Sequence, residues 1–214
     1  MLEKIPKPSL ARLPKYYQVV TSYLERKNEE YISSSYLSKC LNIDDSQIRR
    51  DLMYIEIGGI PRVGYNAKEL KDVLANYLGY FNLNEAVLVG VGNLGTALAK
   101  YKGFEKYGLS IVGLFDNNPE TVGKIIGNLK VEDISNLENI INKFNIKIGI
   151  ITTPAGYAQQ IAEKMVHADI KAIWNFAPAT LDIDEDIFIQ DENLAENFSF
   201  ISHYLKEIEE NKNK

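Results

Sequence analysis

A glycine-rich turn that follows a short apolar run is the feature that most restricts how this 214-residue chain can fold. The run Ala86-Val87-Leu88-Val89 leads directly into Gly90-Val91-Gly92-Asn93-Leu94-Gly95, and a helix-forming segment comes next. Gly90 would make the tight turn, Gly92 would let a pyrophosphate approach the backbone, and Gly95 would let the helix pack closely on the strand. The sequence therefore predicts a strand–turn–helix unit whose residues 90–95 bind a dinucleotide.

An acidic residue at the end of the next apolar run strengthens this interpretation. Asp116 follows Ile111-Val112-Gly113-Leu114-Phe115 and lies 21 residues beyond Gly95. A carboxylate at that place accepts hydrogen bonds from the adenosine ribose hydroxyls and repels a 2′-phosphate, which favours NAD(H) over NADP(H). The plainer alternative is a glycine turn that serves only the fold, with an aspartate that ends a strand.

Buried strands alternate with helices in the second part of the chain. Apolar runs over residues 146–151 and 171–174 have the continuous character of strands covered on both faces, and helical stretches separate them. This alternation predicts an α/β fold with a doubly wound parallel sheet, a Rossmann-like domain. Because ligands bind beyond the carboxyl ends of such strands, two loops are expected on the nicotinamide side of the site: Thr152-Thr153-Pro154 and Asn175-Phe176-Ala177-Pro178.

The first 65 residues show the pattern of a small DNA-binding module. Apolar residues at helical spacing predict a helix that ends near Lys27, and serines 33–35 predict the start of a second helix. Asp44 predicts the start of a third helix, with Gln47 three residues later as in a capping box. The glycine- and proline-containing stretch 56–65 then predicts a hairpin. Three short helices followed by a hairpin make a winged helix-turn-helix domain.

Charged and polar side chains of this module are placed to contact DNA. Residues 1–65 carry a net charge of +2, whereas the remainder carries −7. The start of the third helix, which would enter the major groove, offers four side chains off its apolar stripe: Ser46, Gln47, Arg49 and Arg50. Phosphate and minor-groove contacts are predicted for a second set: Arg12, Lys15, Ser34, Ser35 and, in the wing, Arg62. The alternative is a solvated helix face, or one that contacts only proteins.

No proton donor accompanies the predicted cofactor site. His167 and His203 fall on helices away from the sheet-end loops, and Tyr101, which is nearer, has no evident basic partner. With these two histidines and one cysteine, a zinc site and an internal disulfide are excluded, and Cys40 is expected to pack in the core. We therefore expect a binding protein without metal and not an enzyme. An NAD-dependent oxidoreductase and a CoA-binding domain are the alternatives, and Asp116 disfavours the second because the CoA ribose carries a 3′-phosphate.

The two ends of the chain indicate the location of the protein and a contact with a partner chain. The N-terminal segment lacks the apolar core of a signal peptide, and no apolar run is long enough to cross a membrane, so we expect a cytoplasmic protein. An apolar stripe at the C-terminus predicts a helix that packs against a partner chain, formed by Leu194, Phe198, Ile201, Leu205 and Ile208. The expected domains are a winged helix over residues 1–80, a Rossmann-like domain over 81–192 and a dimerisation helix over 193–214.

Together these motifs resemble the bacterial redox-sensing transcriptional repressor family Rex. The resemblance rests on segments spread over nearly the whole chain: Ile5-Pro6-Lys7-Pro8 with Arg12-Leu13, Ser46-Gln47-Ile48-Arg49-Arg50-Asp51-Leu52, Val63-Gly64-Tyr65-Asn66, Gly90–Gly95 with Tyr101, and Asn175-Phe176-Ala177-Pro178. It implies a homodimer that binds a palindromic DNA operator through two winged-helix domains. It also implies that NADH releases the protein from DNA, and that the C-terminal helices are swapped between subunits.

Three departures from the family pattern concern the wing and the cofactor response. The wing has Ile57-Gly58-Gly59-Ile60-Pro61-Arg62 where the family usually has an aromatic-and-glycine run with a Lys-Arg tip. Gln18 and Asn193 replace an arginine and an aspartate that, with the tyrosine matched by Tyr101, help the family to distinguish the two cofactor states. Because neutral hydrogen bonds are roughly half as strong as charge-assisted ones, these two amides imply weaker discrimination between NADH and NAD⁺ than in typical members.

Overall fold

Two compact units make up the chain in the computed structural model, Met1–Asn82 and Leu83–Lys214. The structure describes residues 5–27, 29–183, 186–193 and 195–212. Within these ranges, no helix has both the length and the apolar character that are needed to cross a membrane.

The N-terminal unit is a group of helices with a two-stranded sheet. Its elements in chain order are α1 (Lys7–Leu10), α2 (Leu13–Lys27), β1 (Tyr31–Ile32), α3 (Ser34–Leu41), α4 (Asp45–Met53), β2 (Tyr65–Asn66) and α5 (Ala67–Tyr77). Leu13, Tyr16 and Val20 lie on one stripe of α2 and are fully buried, and α2 packs against α5. The three predicted helices are confirmed as α2, α3 and α4, whereas α1 and α5 were missed.

Helix α3 begins as predicted but differs at one side chain. Ser33 is its N-cap, because the Ser33 Oγ accepts a hydrogen bond from the Tyr36 N–H at 3.1 Å. The stripe that faces the core runs through Leu37, which is fully buried, and Leu41, which is half-buried. Cys40 falls beside this narrow stripe and is exposed, so the prediction of a packed core thiol was wrong.

Helix α4 is capped by an aspartate but not by the predicted capping box. The Asp44 carboxylate accepts a hydrogen bond from the Ser46 N–H at 2.8 Å. The Gln47 side chain does not turn back to this cap, since its Nε2 donates to the Asp51 carboxylate at 2.8 Å. A hydrogen bond to an ionised acceptor is the stronger of the two alternatives, and the capping-box prediction was wrong for this reason.

The C-terminal unit is a seven-stranded sheet. Its strands are β3 (Asn84–Val89), β4 (Leu109–Asp116), β5 (Ile125–Ile126), β6 (Leu129–Asp133), β7 (Ile148–Ile151), β8 (Ala172–Asn175) and β9 (Phe188–Asp191). The strand order is β5-β6-β4-β3-β7-β8-β9, and all neighbours are parallel except β5 and β6. The six parallel strands thus follow the 3-2-1-4-5-6 order of dinucleotide-binding sheets, which confirms the predicted fold class.

Helices cover both faces of this sheet. They are α6 (Asn93–Ala99), α7 (Leu137–Phe144) and α8 (Ala155–His167), with 3₁₀ turns at Lys102–Tyr107 and Ile134–Asn136. On one face, Val89 and Phe115 pack in a cluster with Met165 of α8. On the other face, Leu88 packs in a cluster with Leu114 and, at its margin, with side chains of α6. Burial of alternate residues on opposite faces explains why the strand sequences are continuously apolar.

The last described helix leaves most of its large apolar side chains in solvent, whereas Ile208 is half-buried. Helix α9 spans Glu196–Lys212, and the large apolar or aromatic residues that it exposes are Phe198, Phe200, Ile201, Tyr204 and Leu205. Leu194, the first residue of the predicted apolar stripe, lies outside the described residues.

Candidate functional site

A cavity of about 410 Å³ lies at the carboxyl ends of β3, β4 and β7. Six of the residues predicted to bind the cofactor line it: Gly90, Gly92, Asp116, Thr152, Thr153 and Pro154. Six further lining residues were not predicted: Tyr157, Gln160, Ile161 and Lys164 of α8, Asn117 after β4 and Ile134 of the 3₁₀ turn after β6. Positions 157, 160, 161 and 164 share one side of α8 by helical spacing, and only the order of the strands in the sheet shows that this side faces the cavity.

Two glycines of the turn leave no room for a side chain. Gly90 has φ +98°, and a Cβ there would lie 2.7 Å from the Thr153 Cγ2. A Cβ on Gly95 would lie 2.0 Å from the Gly90 carbonyl oxygen and 2.8 Å from the Thr152 Oγ1. A Cβ on Gly92 would meet nothing within 4 Å, so this position leaves space above the backbone. The turn therefore brings the N-terminus of α6 close to the end of β3 and keeps one side open.

The Asp116 carboxylate ties the glycine-rich turn to the end of β4. Its Oδ2 accepts a hydrogen bond from the Val91 N–H at 2.7 Å, and its Oδ1 accepts one from the Asn118 N–H at 2.9 Å. Each carboxylate oxygen has a further lone pair, and the side chain lines the cavity. Asp116 can therefore hold the turn and accept hydrogen bonds from ribose hydroxyls at the same time.

A buried hydroxyl at the cavity wall also fits a polar ligand. The Thr153 Oγ1 is buried and has no hydrogen-bond partner among the described residues. By contrast, the Thr152 hydroxyl donates to the Gly90 carbonyl oxygen at 2.6 Å and so braces the turn. A buried polar atom without a partner costs free energy unless a ligand or water satisfies it. The cavity thus offers a carboxylate and an unpartnered hydroxyl, both of which can form hydrogen bonds with a dinucleotide.

The remaining predicted cofactor residues lie outside this cavity. Tyr101 is 57% exposed and begins a row of aromatic contacts that runs through Phe104 and Trp174 to Phe176. Asn175 is buried, and its amide bonds to the Ala179 carbonyl, the Asp191 carboxylate and the Ala177 N–H. These bonds fix the loop over residues 175–178. Contact of Tyr101 and of this loop with a cofactor stays a prediction.

Helix α4 carries two arginines, of which one forms an ion pair with its own helix and the other does not. Arg49 forms an ion pair with Asp45 one turn earlier, and its Nη1 lies 3.5 Å from the Ser34 Oγ. Arg50 is exposed and has no hydrogen bond or ion pair to the described part of the chain. Other predicted DNA contacts are also exposed: Lys15, Ser35, Ser46 and Arg62.

Arg12 occupies a buried cluster, which we call the Asp51 cluster, formed by Ser9, Arg12, Tyr16, Gln47 and Asp51. Asp51 is fully buried, and Arg12 is 23% exposed. Arg12 Nε and Nη2 donate to the two Asp51 oxygens at 2.6 and 2.8 Å, and the Tyr16 hydroxyl donates at 2.6 Å. Burial alone would raise the pKa of Asp51, but the hydrogen bonds from Arg12 and Tyr16 outweigh it and hold this pKa at about 2. The predicted phosphate contact of Arg12 stays a prediction.

Arg62 stands at the tip of the hairpin between α4 and β2. Ile60 and Gly64 pair across the hairpin, with the Ile60 N–H donating to the Gly64 carbonyl oxygen at 2.7 Å. Arg62 has φ +65°, a left-handed conformation that is unfavourable for a residue with a side chain. The exposed guanidinium therefore projects from a strained turn.

The fold and the site define a class of protein, in which a helix-turn-helix unit is joined to a dinucleotide-binding Rossmann-like unit. Residues 4–52 match the family model described as "Putative DNA-binding protein N-terminus", and residues 81–179 match the model described as "CoA binding domain". The chain belongs to the family of redox-sensing transcriptional repressors Rex. It is 41% identical over 191 residues to the Rex repressor of Bacteroides fragilis, which covers 89% of this chain and 86% of that protein.

Other relatives and solved structures extend the likeness to the full length. The Rex repressor of Carboxydothermus hydrogenoformans is 37% identical over 95% of this chain and 97% of that protein. The structure of RSP in complex with β-NAD⁺ and operator DNA matches with a TM-score of 0.89 and 35% identity, covering 98% of this chain and 96% of that one. The structure of RSP in complex with β-NADH matches equally well, at 36% identity over 98% of both chains.

Proposed function

We propose that this protein is a DNA-binding transcriptional repressor that binds a palindromic operator and is released from it by NADH. The observation that carries the proposal is that one chain holds both a cavity suited to a dinucleotide and a helix-turn-helix, and that it matches over 98% of its length a repressor solved with operator DNA and with β-NADH. Release requires NADH to bind the DNA-incompetent state more tightly than the DNA-competent one. Because a repressor must meet its operator, the proposed location is the cytoplasm.

Anisotropy of a fluorescent duplex tests the DNA-binding half of this proposal. The full chain would be titrated into a family-type palindromic duplex and into a scrambled duplex of the same composition, at two salt concentrations. We expect tighter binding to the palindrome, with affinity for both duplexes falling as salt rises, because phosphate contacts release counter-ions. Equal binding to both duplexes, or binding to neither, would contradict the proposal.

Residues 90–95 and Asp116 are proposed to hold the pyrophosphate and the adenosine ribose. The free N–H groups at the start of α6 favour phosphate, and the space above Gly92 admits it. Thr152, Thr153 and Pro154 are proposed to continue the site towards the nicotinamide, with Tyr101 and residues 175–178 beyond them. When bound, NAD(H) supplies a nicotinamide ring whose redox state is the signal. The protein is proposed not to be an enzyme, in keeping with relatives that are repressors.

Replacing Asp116 with asparagine is expected to weaken NADH binding and to reduce the preference for NADH over NADPH. Asparagine can still accept from the Val91 N–H, so the turn keeps its brace. Loss of a charged acceptor for ribose hydroxyls costs about 1.5 to 3 kcal/mol, or roughly tenfold or more in Kd. Titration of both cofactors by fluorescence measures the change. An unaltered ratio of the two dissociation constants would show that Asp116 does not select the ribose.

Replacing Arg62 with glycine is expected to change stability and DNA affinity in opposite directions. Glycine adopts φ +65° without strain, so the free energy of unfolding should rise by about 1 kcal/mol. Loss of the guanidinium should weaken operator binding and lower its salt dependence by about one unit of slope per subunit, or about two for the proposed dimer. Chemical denaturation and anisotropy measure the two effects on one sample. Unchanged operator affinity would remove Arg62 from the DNA interface.

We propose that two copies of the chain form a homodimer through α9, with these helices swapped between subunits as in the family. The proposal is supported by the solvent exposure of Phe198, Phe200, Ile201, Tyr204 and Leu205 along this helix, which a monomer would leave in water. Sedimentation velocity of the full chain should give the mass of a dimer, and a monomer mass would contradict it.

A further inference from the structure

The Asp51 carboxylate is saturated with hydrogen bonds from its own chain. Its Oδ1 accepts from Arg12 Nη2 and from Gln47 Nε2, and its Oδ2 accepts from Arg12 Nε and from the Tyr16 hydroxyl, at distances of 2.6 to 2.8 Å. A carboxylate offers about four acceptor positions in all. Every one is used, so Asp51 has nothing left with which to bind a ligand directly.

The fixed Asp51 carboxylate determines whether the nitrogen or the oxygen of the Gln47 amide faces it. An ionised carboxylate only accepts hydrogen bonds, and the hydrogen bonds from Arg12 and Tyr16 keep Asp51 ionised throughout the neutral range although it is buried. The Gln47 amide must therefore turn its nitrogen towards Asp51, because its oxygen would meet a second oxygen and be repelled. One N–H of Nε2 is consumed, while the other N–H and Oε1 stay available on the outward edge of the amide.

An outward edge with one donor beside one acceptor is complementary to adenine. In the major groove, adenine presents the N7 acceptor beside the N6 amino donor, whereas guanine presents two acceptors, N7 and O6. A freely rotating glutamine can turn its amide over and adapt to other edges. Gln47 is half-buried near the start of α4, between the exposed residues Ser46 and Arg49 and on the helix proposed to enter the groove.

We propose that Asp51 is a positioning residue for DNA recognition, which locks the Gln47 amide in the orientation that selects adenine over guanine. The clamp from Arg12 and Tyr16 fixes Asp51, Asp51 fixes Gln47, and Gln47 contacts the base. The inference rests on the proposed function, since it requires α4 to read DNA. In this proposal Asp51 contributes to base specificity without contacting DNA, because it acts only through Gln47.

Selection from a random duplex library tests this chain of contacts. The full-length protein and three variants, Gln47→Ala, Asp51→Asn and the double substitution, would each select duplexes from one randomised pool. Comparison of the wild type with Gln47→Ala identifies the base pair that Gln47 reads. There the wild type should prefer adenine over guanine by at least about fivefold, as a good bidentate contact provides. Asparagine can donate as well as accept, so Asp51→Asn should let the Gln47 amide turn over and should lose most of this preference at that pair alone.

The double variant separates positioning from general damage to the fold. If Asp51 acts through Gln47, Asp51→Asn should have no further effect on base preference in the Gln47→Ala background. Asp72→Asn, the same change at an exposed residue of α5, is the matched control and should leave the preference intact. If Asp51→Asn does not fold, Tyr16→Phe removes one bond from the carboxylate, keeps the Arg12 pair and should lower the preference by a smaller factor.

The outcomes that overturn the inference are distinct from failure of the proposed function. A wild type that enriches no sequence is not a sequence-specific DNA-binding protein, which would refute both. If the wild type enriches a palindrome, but a folded Asp51→Asn or Tyr16→Phe variant keeps the full adenine preference, only the positioning role is refuted. A Gln47-dependent base pair that carries guanine instead of adenine would also refute it.

Discussion

Replacing Arg12 with alanine is expected to lower the free energy of unfolding of the N-terminal unit by about 3 to 5 kcal/mol, because it leaves a buried carboxylate without its counter-ion. Asp51 is fully buried and receives two hydrogen bonds from the Arg12 guanidinium. The two residues are 39 positions apart and join the start of α2 to α4. Urea denaturation followed by circular dichroism at neutral pH measures the loss.

The Arg50→Ala variant is the matched control. Arg50 lies on α4, is exposed and makes no ion pair with the described residues, so Arg50→Ala should change the free energy of unfolding by less than about 0.5 kcal/mol. A loss below about 1 kcal/mol for Arg12→Ala would contradict the assigned role of the pair, since an exposed ion pair contributes no more than that.

The contribution of the Asp51 cluster should also depend on pH with a defined sign. The pKa of Asp51 is lowered from 3.8 to about 2 in the folded chain. A lowered carboxyl pKa contributes stability that is fully present above the unfolded value and is lost as the pH falls through the folded value. The wild type should therefore keep this contribution above pH 4 and lose it between pH 4 and 2, whereas Arg12→Ala, in which burial raises the Asp51 pKa, should lose no stability from this group over that window.

Replacing Gly95 with alanine is expected to weaken NADH binding by roughly 100-fold. The new Cβ would lie 2.0 Å from the Gly90 carbonyl oxygen, so α6 must move away from the turn and carry its N–H groups with it. Binding of the phosphates would press α6 back against this contact, so the bound state bears the overpacking, which costs about 1 to 3 kcal/mol. The upper value corresponds to a factor of about 100 in Kd. Isothermal titration of NADH into the full chain measures the change.

Gly156→Ala is the control for this effect. Gly156 also lies in the first turn of a helix, but a Cβ there meets nothing within 4 Å. Alanine at this position should leave the NADH Kd within about twofold and slightly raise stability through its helix propensity. If Gly95→Ala bound NADH like the wild type, the glycine-rich turn would not be the phosphate site.

Local signals in the sequence were sufficient to predict where the cavity lies. The strand, the turn at Gly90–Gly95 and the carboxylate at Asp116 are each defined by neighbours within a few residues, and all three recur in the structure as expected. The wall from α8 was missed because it depends on the sheet order. β6 and β9 were missed because they lack the long apolar runs of the central strands.

The Asp51 cluster illustrates what local pattern cannot provide. Gln47 matches the capping-box spacing, but its amide donates a hydrogen bond to the buried Asp51 carboxylate one turn later instead of to the helix cap. Arg12 sits in a basic N-terminal segment that suggests phosphate binding, yet its guanidinium is paired within the fold. In each case the deciding partner is an ionised, buried group, and its burial follows only from tertiary packing.

The most direct test of the central claim measures operator occupancy at constant total cofactor. The full chain, bound to a fluorescent palindromic duplex, would be held at one total concentration of NAD(H) while the fraction of NADH is raised from zero to one. We predict a fall in anisotropy as that fraction rises, with NADH binding tighter than NAD⁺ by less than a thousandfold because Gln18 and Asn193 are neutral. Occupancy that depends on total cofactor and not on its redox state would contradict redox sensing.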